Sequence, residues 1–170
     1  ALVATLVLAD DPCVVKTDKG DINLNNVAAP GGFYTAENDE QTYNYYVNIC
    51  KAVTGYPHAD VCAGKADGSK GYQISSDGKN CYPMSDKGTA DITAALTSPT
   101  DITQGVTLTY ATFTSDNYQR TTIFNVMCDA KASATTFKFN REDWETGHST
   151  YHFDVTSSGA CPGSPPAPGP

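Results

Sequence analysis

Residues 106–127 read VTLTYATFTSDNYQRTTIFNVM, and two β-strands are written into them. Val106, Leu108 and Tyr110 alternate with Thr107 and Thr109, the period-two pattern of a strand with one buried face. Thr121–Met127 is apolar on both faces, which predicts a strand in the middle of a sheet. The same reading extends outward. Thr42–Ile49 (TYNYYVNI) places Tyr43, Tyr45, Val47 and Ile49 on one face. Thr136–Phe139 and Tyr151–Val155 follow, with Cys13–Thr17 and Tyr72–Ile74 as shorter strands. Turn signals separate the runs at Asp18-Lys19-Gly20, Asp67-Gly68, Asp77-Gly78, Asp86-Lys87-Gly88 and Gln104-Gly105. No long stretch has helical period. The single helical candidate, Thr89–Leu96, is short and stopped by Pro99. The expected fold is all-β: a flattened antiparallel β-barrel or sandwich of about nine short strands, stapled by three disulfides.

Composition agrees with that class. The 170 residues include 21 Thr and 10 Tyr but only 2 Met and 1 Trp. The balance of 11 Lys+Arg against 19 Asp+Glu gives a net charge of −8, the wrong sign for neutralising nucleic-acid phosphates. The six cysteines stand at 13, 50, 62, 81, 128 and 161, and the nearest pair in sequence is twelve positions apart. Zinc sites use ligand pairs two to four residues apart, so this spacing reads as disulfides and as a secreted or secretory-lumen protein. Six cysteines allow 15 pairings. No Asn-x-Ser/Thr sequon is present.

Both ends depart from the middle. Residues 1–9, ALVATLVLA, read either as the remnant of a signal peptide cleaved before Asp10 or as an apolar strand exchanged with another subunit. The run is too short to span a bilayer. Residues 162–170, PGSPPAPGP, read as an extended tail without a core. The expected division is therefore 1–9, a domain over 10–161, and a tail over 162–170.

Motifs for covalent chemistry are missing: there is no G-x-S-x-G, HExxH or P-loop. Glu142-Asp143-x-Glu145 offers paired carboxylates of the kind a glycosidase uses, but as neighbours on a loop they read first as a solvated acidic segment. The acidic stretches Glu37–Glu40 and Asp116-Asn117 lack calcium-loop spacing and read as exposed loops. No metal or cofactor is expected.

The order of several segments is more informative. Thr42–Cys50 is a strand ending in cysteine; Tyr72–Asn80 reads YQISSDGKN; Leu108–Tyr110 leads through a polar loop to Gln119-Arg120 and TTIFNVMC. Glu142, Tyr151-His152-Phe153 and Ala160-Cys161-Pro162 come after. Arg120 lies eight before Cys128, Glu142 lies fourteen after it, and a Tyr-x-Phe strand precedes the last cysteine. From Cys13 to Cys161 this pattern resembles the mannose 6-phosphate receptor homology domain. The resemblance implies a mannose site made of Gln73, Arg120, Glu142 and Tyr151, with Glu145 as the alternative glutamate. It also implies the pairing Cys13–Cys50, Cys62–Cys81 and Cys128–Cys161. Many members of that family brace the ligand loop with one more disulfide. The corresponding positions fall near Ser115 and Ser149, so the brace is lost from the segment Phe113–Gln119, which in the receptors forms the phosphate-facing side of the pocket.

The quartet suits a sugar. Gln and Arg donate to the axial 2-hydroxyl that distinguishes mannose from glucose, a carboxylate accepts from vicinal hydroxyls, and tyrosine does either. Each residue also has a plainer reading: an exposed strand residue for Gln73, a surface pair with Asp116 for Arg120, a core position for Tyr151. The expected function is a non-enzymatic, lectin-like domain for mannose-type glycans. The alternative is an extracellular building block that assembles into a homo-oligomer or filament through residues 1–9 and its tail.

Overall fold

The computed structural model describes residues 10–165, and the expectations for 1–9 and for 166–170 fall outside that range. The strands are β1 (Val14–Val15), β2 (Ile22–Asn23), β3 (Tyr34–Glu37), β4 (Tyr43–Val47), β5 (Gly71–Ser75), β6 (Cys81–Pro83), β7 (Ile92–Leu96), β8 (Val106–Ser115), β9 (Tyr118–Cys128), β10 (Thr136–Glu145) and β11 (His148–Ser157). β3-β4-β5-β6 form one antiparallel sheet, β10-β11-β9-β8-β7 form a second, and β1 pairs with β2. The architecture is all-β and sandwich-like rather than a closed barrel.

β9 sits third of five, as its two-sided apolar pattern demands. Its inner face, Thr122, Phe124 and Val126, is buried, while Ile123 and Met127 on the other face are only half-buried. β8 and β9 join through Asp116-Asn117, both at left-handed φ (52° and 59°), the condition for a tight hairpin turn whose twist matches the strands. The polar loop expected over Phe113–Gln119 is thus mostly strand. Long-chain pairing with a neighbour overrides its polar composition, because a polar strand end that projects past the core loses nothing by exposure.

Three further expectations are corrected. Thr89–Leu96 is not helical: Ile92–Leu96 pairs with β8, with Ile92 buried and Ala94 and Leu96 packed on the core. A sub-helical length of chain has little intrinsic helicity, and an available sheet edge wins. The acidic run Glu142–Glu145 lies on β10 rather than in a loop, opposite Tyr151, Thr150, Ser149 and His148 in turn. The sandwich is also not wholly antiparallel, since β11 runs parallel to β9 from His148↔Gln119 to Ser157↔Cys128.

The main core fills the space between the two larger sheets. Tyr45 of β4 packs against Phe139, Tyr151 and Phe153 at ring-centroid distances of 5.3, 5.4 and 5.4 Å. Phe124 and Phe137 continue the cluster at 5.6 and 5.1 Å from Phe153. The outer face of the smaller sheet carries a second cluster of Tyr46, Tyr72 and Ile74, covered by Phe33, Tyr56 and the Cys62–Cys81 bridge. The other bridges are Cys13–Cys50 and Cys128–Cys161, so the pairs are those the resemblance implied. Closing loops of this size stabilises a fold by ~2–4 kcal/mol each. The start of the tail is tied down: Gly163 N–H donates to Asp21 O, and Asn26 Nδ2 donates to Ser164 O.

Candidate functional site

At one end of the sandwich the β8–β9 and β10–β11 hairpins run beyond the smaller sheet and leave a cleft of about 390 Å³. All four residues of the expected quartet line it. Alternation puts them there. Gln73 is the middle residue of β5, opposite Tyr45 and Tyr82. Arg120 on β9 faces inward beside Ser149, and Glu142 on β10 stands opposite Tyr151 on β11. Glu145, three residues on, falls on the other face of β10 and does not line the cleft.

Gln73, Arg120 and Tyr151 form the floor, at 4, 6 and 1% exposure. Gln73 Oε1 accepts from Arg120 Nε and from Tyr151 OH, each at 3.3 Å. That fixes the amide so that its NH₂ is left with one long contact, donating to Tyr45 OH at 3.5 Å. The Arg120 guanidinium lies between the Tyr82 and Tyr118 rings, 4.8 and 4.7 Å from their centroids. Two aromatic faces stabilise the cation where water is largely excluded. Its Nη1 is buried and has no hydrogen-bond partner among the described residues. A buried donor left unmet costs ~1–3 kcal/mol, so this position can take an acceptor that enters the cleft. Burial pushes the Tyr151 hydroxyl up to about 12, with Arg120 pulling the other way and Glu142 adding to the rise, so it is a neutral donor at any physiological pH.

Glu142 sits on the exposed rim. Ser149, fully buried, donates its hydroxyl to Glu142 Oε1 at 2.5 Å and accepts from Tyr118 OH at 2.7 Å. A relay from Tyr118 through Ser149 thus aims the carboxylate into the cleft. The resemblance places the family's extra cystine near Ser149 and Ser115; Ser115 lines the cleft, and Ser149 lies behind Glu142. Through Ser149, hydrogen bonds tie β11 to Tyr118 of β9 and to Glu142 of β10.

Tyr43, Tyr82, Tyr118 and Trp144 line the cleft as well without any site motif to single them out, and Ser115 and Asp116 of the β8–β9 turn join them. A signal was present for three residues of the site. Tyr118, Trp144 and Ser149 lie two positions from Arg120, Glu142 and Tyr151 on the same strands, so each shares the functional face. Among the described residues no group of three or more His, Cys, Asp or Glu is placed to hold a metal ion. What the arrangement offers is a set of neutral and cationic donors below a carboxylate, with aromatic walls.

No match was found among curated proteins. The family model described as autophagy-related protein 27 matches residues 1–170, the whole of the sequence. A mannose 6-phosphate receptor-like family is what the bridges, the strand order and the shared cleft had pointed to, and the chain belongs to the autophagy-related protein 27 family.

Proposed function

We propose that the domain is a non-enzymatic carbohydrate-binding module that takes a mannose-type sugar in this cleft, inside a compartment of the secretory pathway. The observation that carries the reading is the buried, unmet Nη1 of Arg120 on a floor shared with Gln73 and Tyr151, facing Glu142 on the rim. A polyhydroxylated ring supplies the acceptors that the Arg120 and Gln73 N–H groups lack and the hydroxyl donors that Glu142 accepts. The three disulfides suit an oxidising lumen.

The charge of the cleft favours a neutral sugar. Glu142 and Asp116 bring two carboxylates against the single guanidinium of Arg120. A phosphate placed there would meet like charge, with no second cation among the lining residues to neutralise it.

Calorimetric titration tests the reading. Methyl α-mannoside binds the intact protein, its 2-deoxy analogue binds about five- to a hundredfold more weakly, and Arg120→Ala removes detectable binding. The deoxy sugar leaves a buried donor unpaired, which costs ~1–3 kcal/mol, and each ~1.4 kcal/mol is tenfold. Absence of binding to any mannose-bearing glycan on an array would overturn the reading, and turnover of a chromogenic mannoside would replace it with a glycosidase.

A further inference from the structure

Trp144 is the sole tryptophan of the sequence and, among the described residues, the one large hydrophobic side chain that is exposed, at 67%. It stands two residues past Glu142 on the same face of β10. It borders the cleft described above and also an adjoining one of about 430 Å³. Glu142 and Trp144 border both clefts, so the two adjoin along β10. The second cleft adds the polar groups of Asp39, Glu40 and Arg141.

Resting on the carbohydrate reading of the first cleft, we propose that the site takes at least two linked sugars, with Trp144 as the stacking platform for the second. A pyranose presents an apolar C–H face, which an aromatic ring covers, and a rim of hydroxyls, which Asp39, Glu40 and Arg141 meet. The step along β10 from Glu142 to Trp144 is ~7 Å, the scale of one sugar unit, at ~3.3 Å per strand residue.

The platform is pre-organised on both sides. Trp144 is held on the paired β10–β11 hairpin, opposite Ser149. The facing wall is pinned by Asn38, whose Oδ1 accepts from the Thr42 and Tyr43 N–H groups while its amide donates to Thr42 Oγ1. Neither wall has to be ordered by the ligand, which keeps the cost of binding low.

The test uses the full chain with methyl α-mannoside and α-linked mannobioses, followed by calorimetry and by intrinsic fluorescence. Because Trp144 is the sole tryptophan, its emission reports the second position directly. One mannobiose binds about five- to tenfold more tightly than the monosaccharide, the gain of one stacked ring, and shifts the emission more than the monosaccharide does at saturation. Trp144→Ala brings the ratio of the two affinities to about one. Equal affinities in the wild type, an identical emission change with both sugars, or a ratio untouched by Trp144→Ala overturns the proposal while leaving the first cleft a mannose site. Failure of both sugars to bind the wild type overturns the carbohydrate reading itself.

Discussion

At the level of single side chains, Ser149 shows how the cleft works without its expected brace. The hydroxyl is fully buried and has one acceptor, Glu142, and one donor, Tyr118. Ser149→Ala leaves Glu142 free to rotate into solvent and strands the Tyr118 hydroxyl. A lost charge-assisted hydrogen bond is worth ~1.5–3 kcal/mol, so mannoside affinity falls about tenfold or more with only a small change in thermal midpoint. Calorimetry on Ser149→Ala, Glu142→Gln and the double variant separates positioning from packing: if Ser149 acts through Glu142, the double variant is no weaker than Glu142→Gln alone. Additive losses would show that Ser149 acts independently. That Gln73, Arg120, Glu142 and Tyr151 share one cleft was legible because their types and spacings resemble a known pattern. The relay was not, since serine in a strand has many plainer uses. Only the register that sets Ser149 between Arg120 and Trp144 gives it a role.

Between elements, the polar link from β5 to β7 matters as much as the aromatic core. Lys70 precedes β5 and Asp91 precedes β7, on different sheets. The Lys70 side chain is 1% exposed, and its Nζ donates to Asp91 Oδ1 at 2.6 Å, Asp86 O at 2.5 Å and Gly88 O at 2.8 Å. It also lies 5.0 Å from the centroid of Tyr110, whose hydroxyl in turn donates to Asn48 O. Lys70→Met leaves a largely buried carboxylate and two carbonyls without a donor. Breaking a buried pair in this way costs ~3–5 kcal/mol. A urea titration of the variant therefore shows a midpoint far below the wild type. Lys70→Met with Asp91→Leu recovers part of the loss, because the unpaired charge is gone while the two carbonyls remain unmet. Little of this was legible. Lys70 sits between Ser69 and Gly71, just after the turn signal Asp67-Gly68, and Thr89–Leu96 reads as a short helix. The fact that decides both is pairing with β8, a relation between segments that no local period records. The parallel match of β11 to β9 is hidden for the same reason, whereas the strands themselves, with their alternating Tyr, Phe and Val, could be read directly.

Across the whole domain, tyrosine is the residue that makes the fold sensitive to pH. Burial raises the hydroxyl pKa of seven tyrosines, at 34, 45, 46, 56, 72, 110 and 151, and desolvation is the largest cause in each. Tyr45, Tyr110 and Tyr151 bridge the two main sheets, so their neutral form is part of the core rather than of the surface. A group whose folded pKa lies above its unfolded value contributes stability that is complete below the unfolded value and is lost as pH rises toward the folded one. For Tyr151 that window runs from the ordinary 10.0 to about 12. Each such tyrosine removes ~1.4 kcal/mol per pH unit within its own window, so several acting together make alkaline unfolding steep. Stability measured in urea is thus insensitive to these groups below pH 9 and falls sharply above pH 10. Absorbance of tyrosinate near 295 nm, followed on the folded protein, reaches its full amplitude only when unfolding does. Tyr151→Phe reduces the alkaline slope by about one group while also weakening mannoside binding, because the same hydroxyl holds Gln73 in place. A tyrosinate signal at pH 10.5 equal to that of the urea-unfolded chain at the same pH, with the fold intact, would show that these hydroxyls are in contact with water. The core and the cleft, which share Tyr151 and Gln73, would then not be the single packed unit described here.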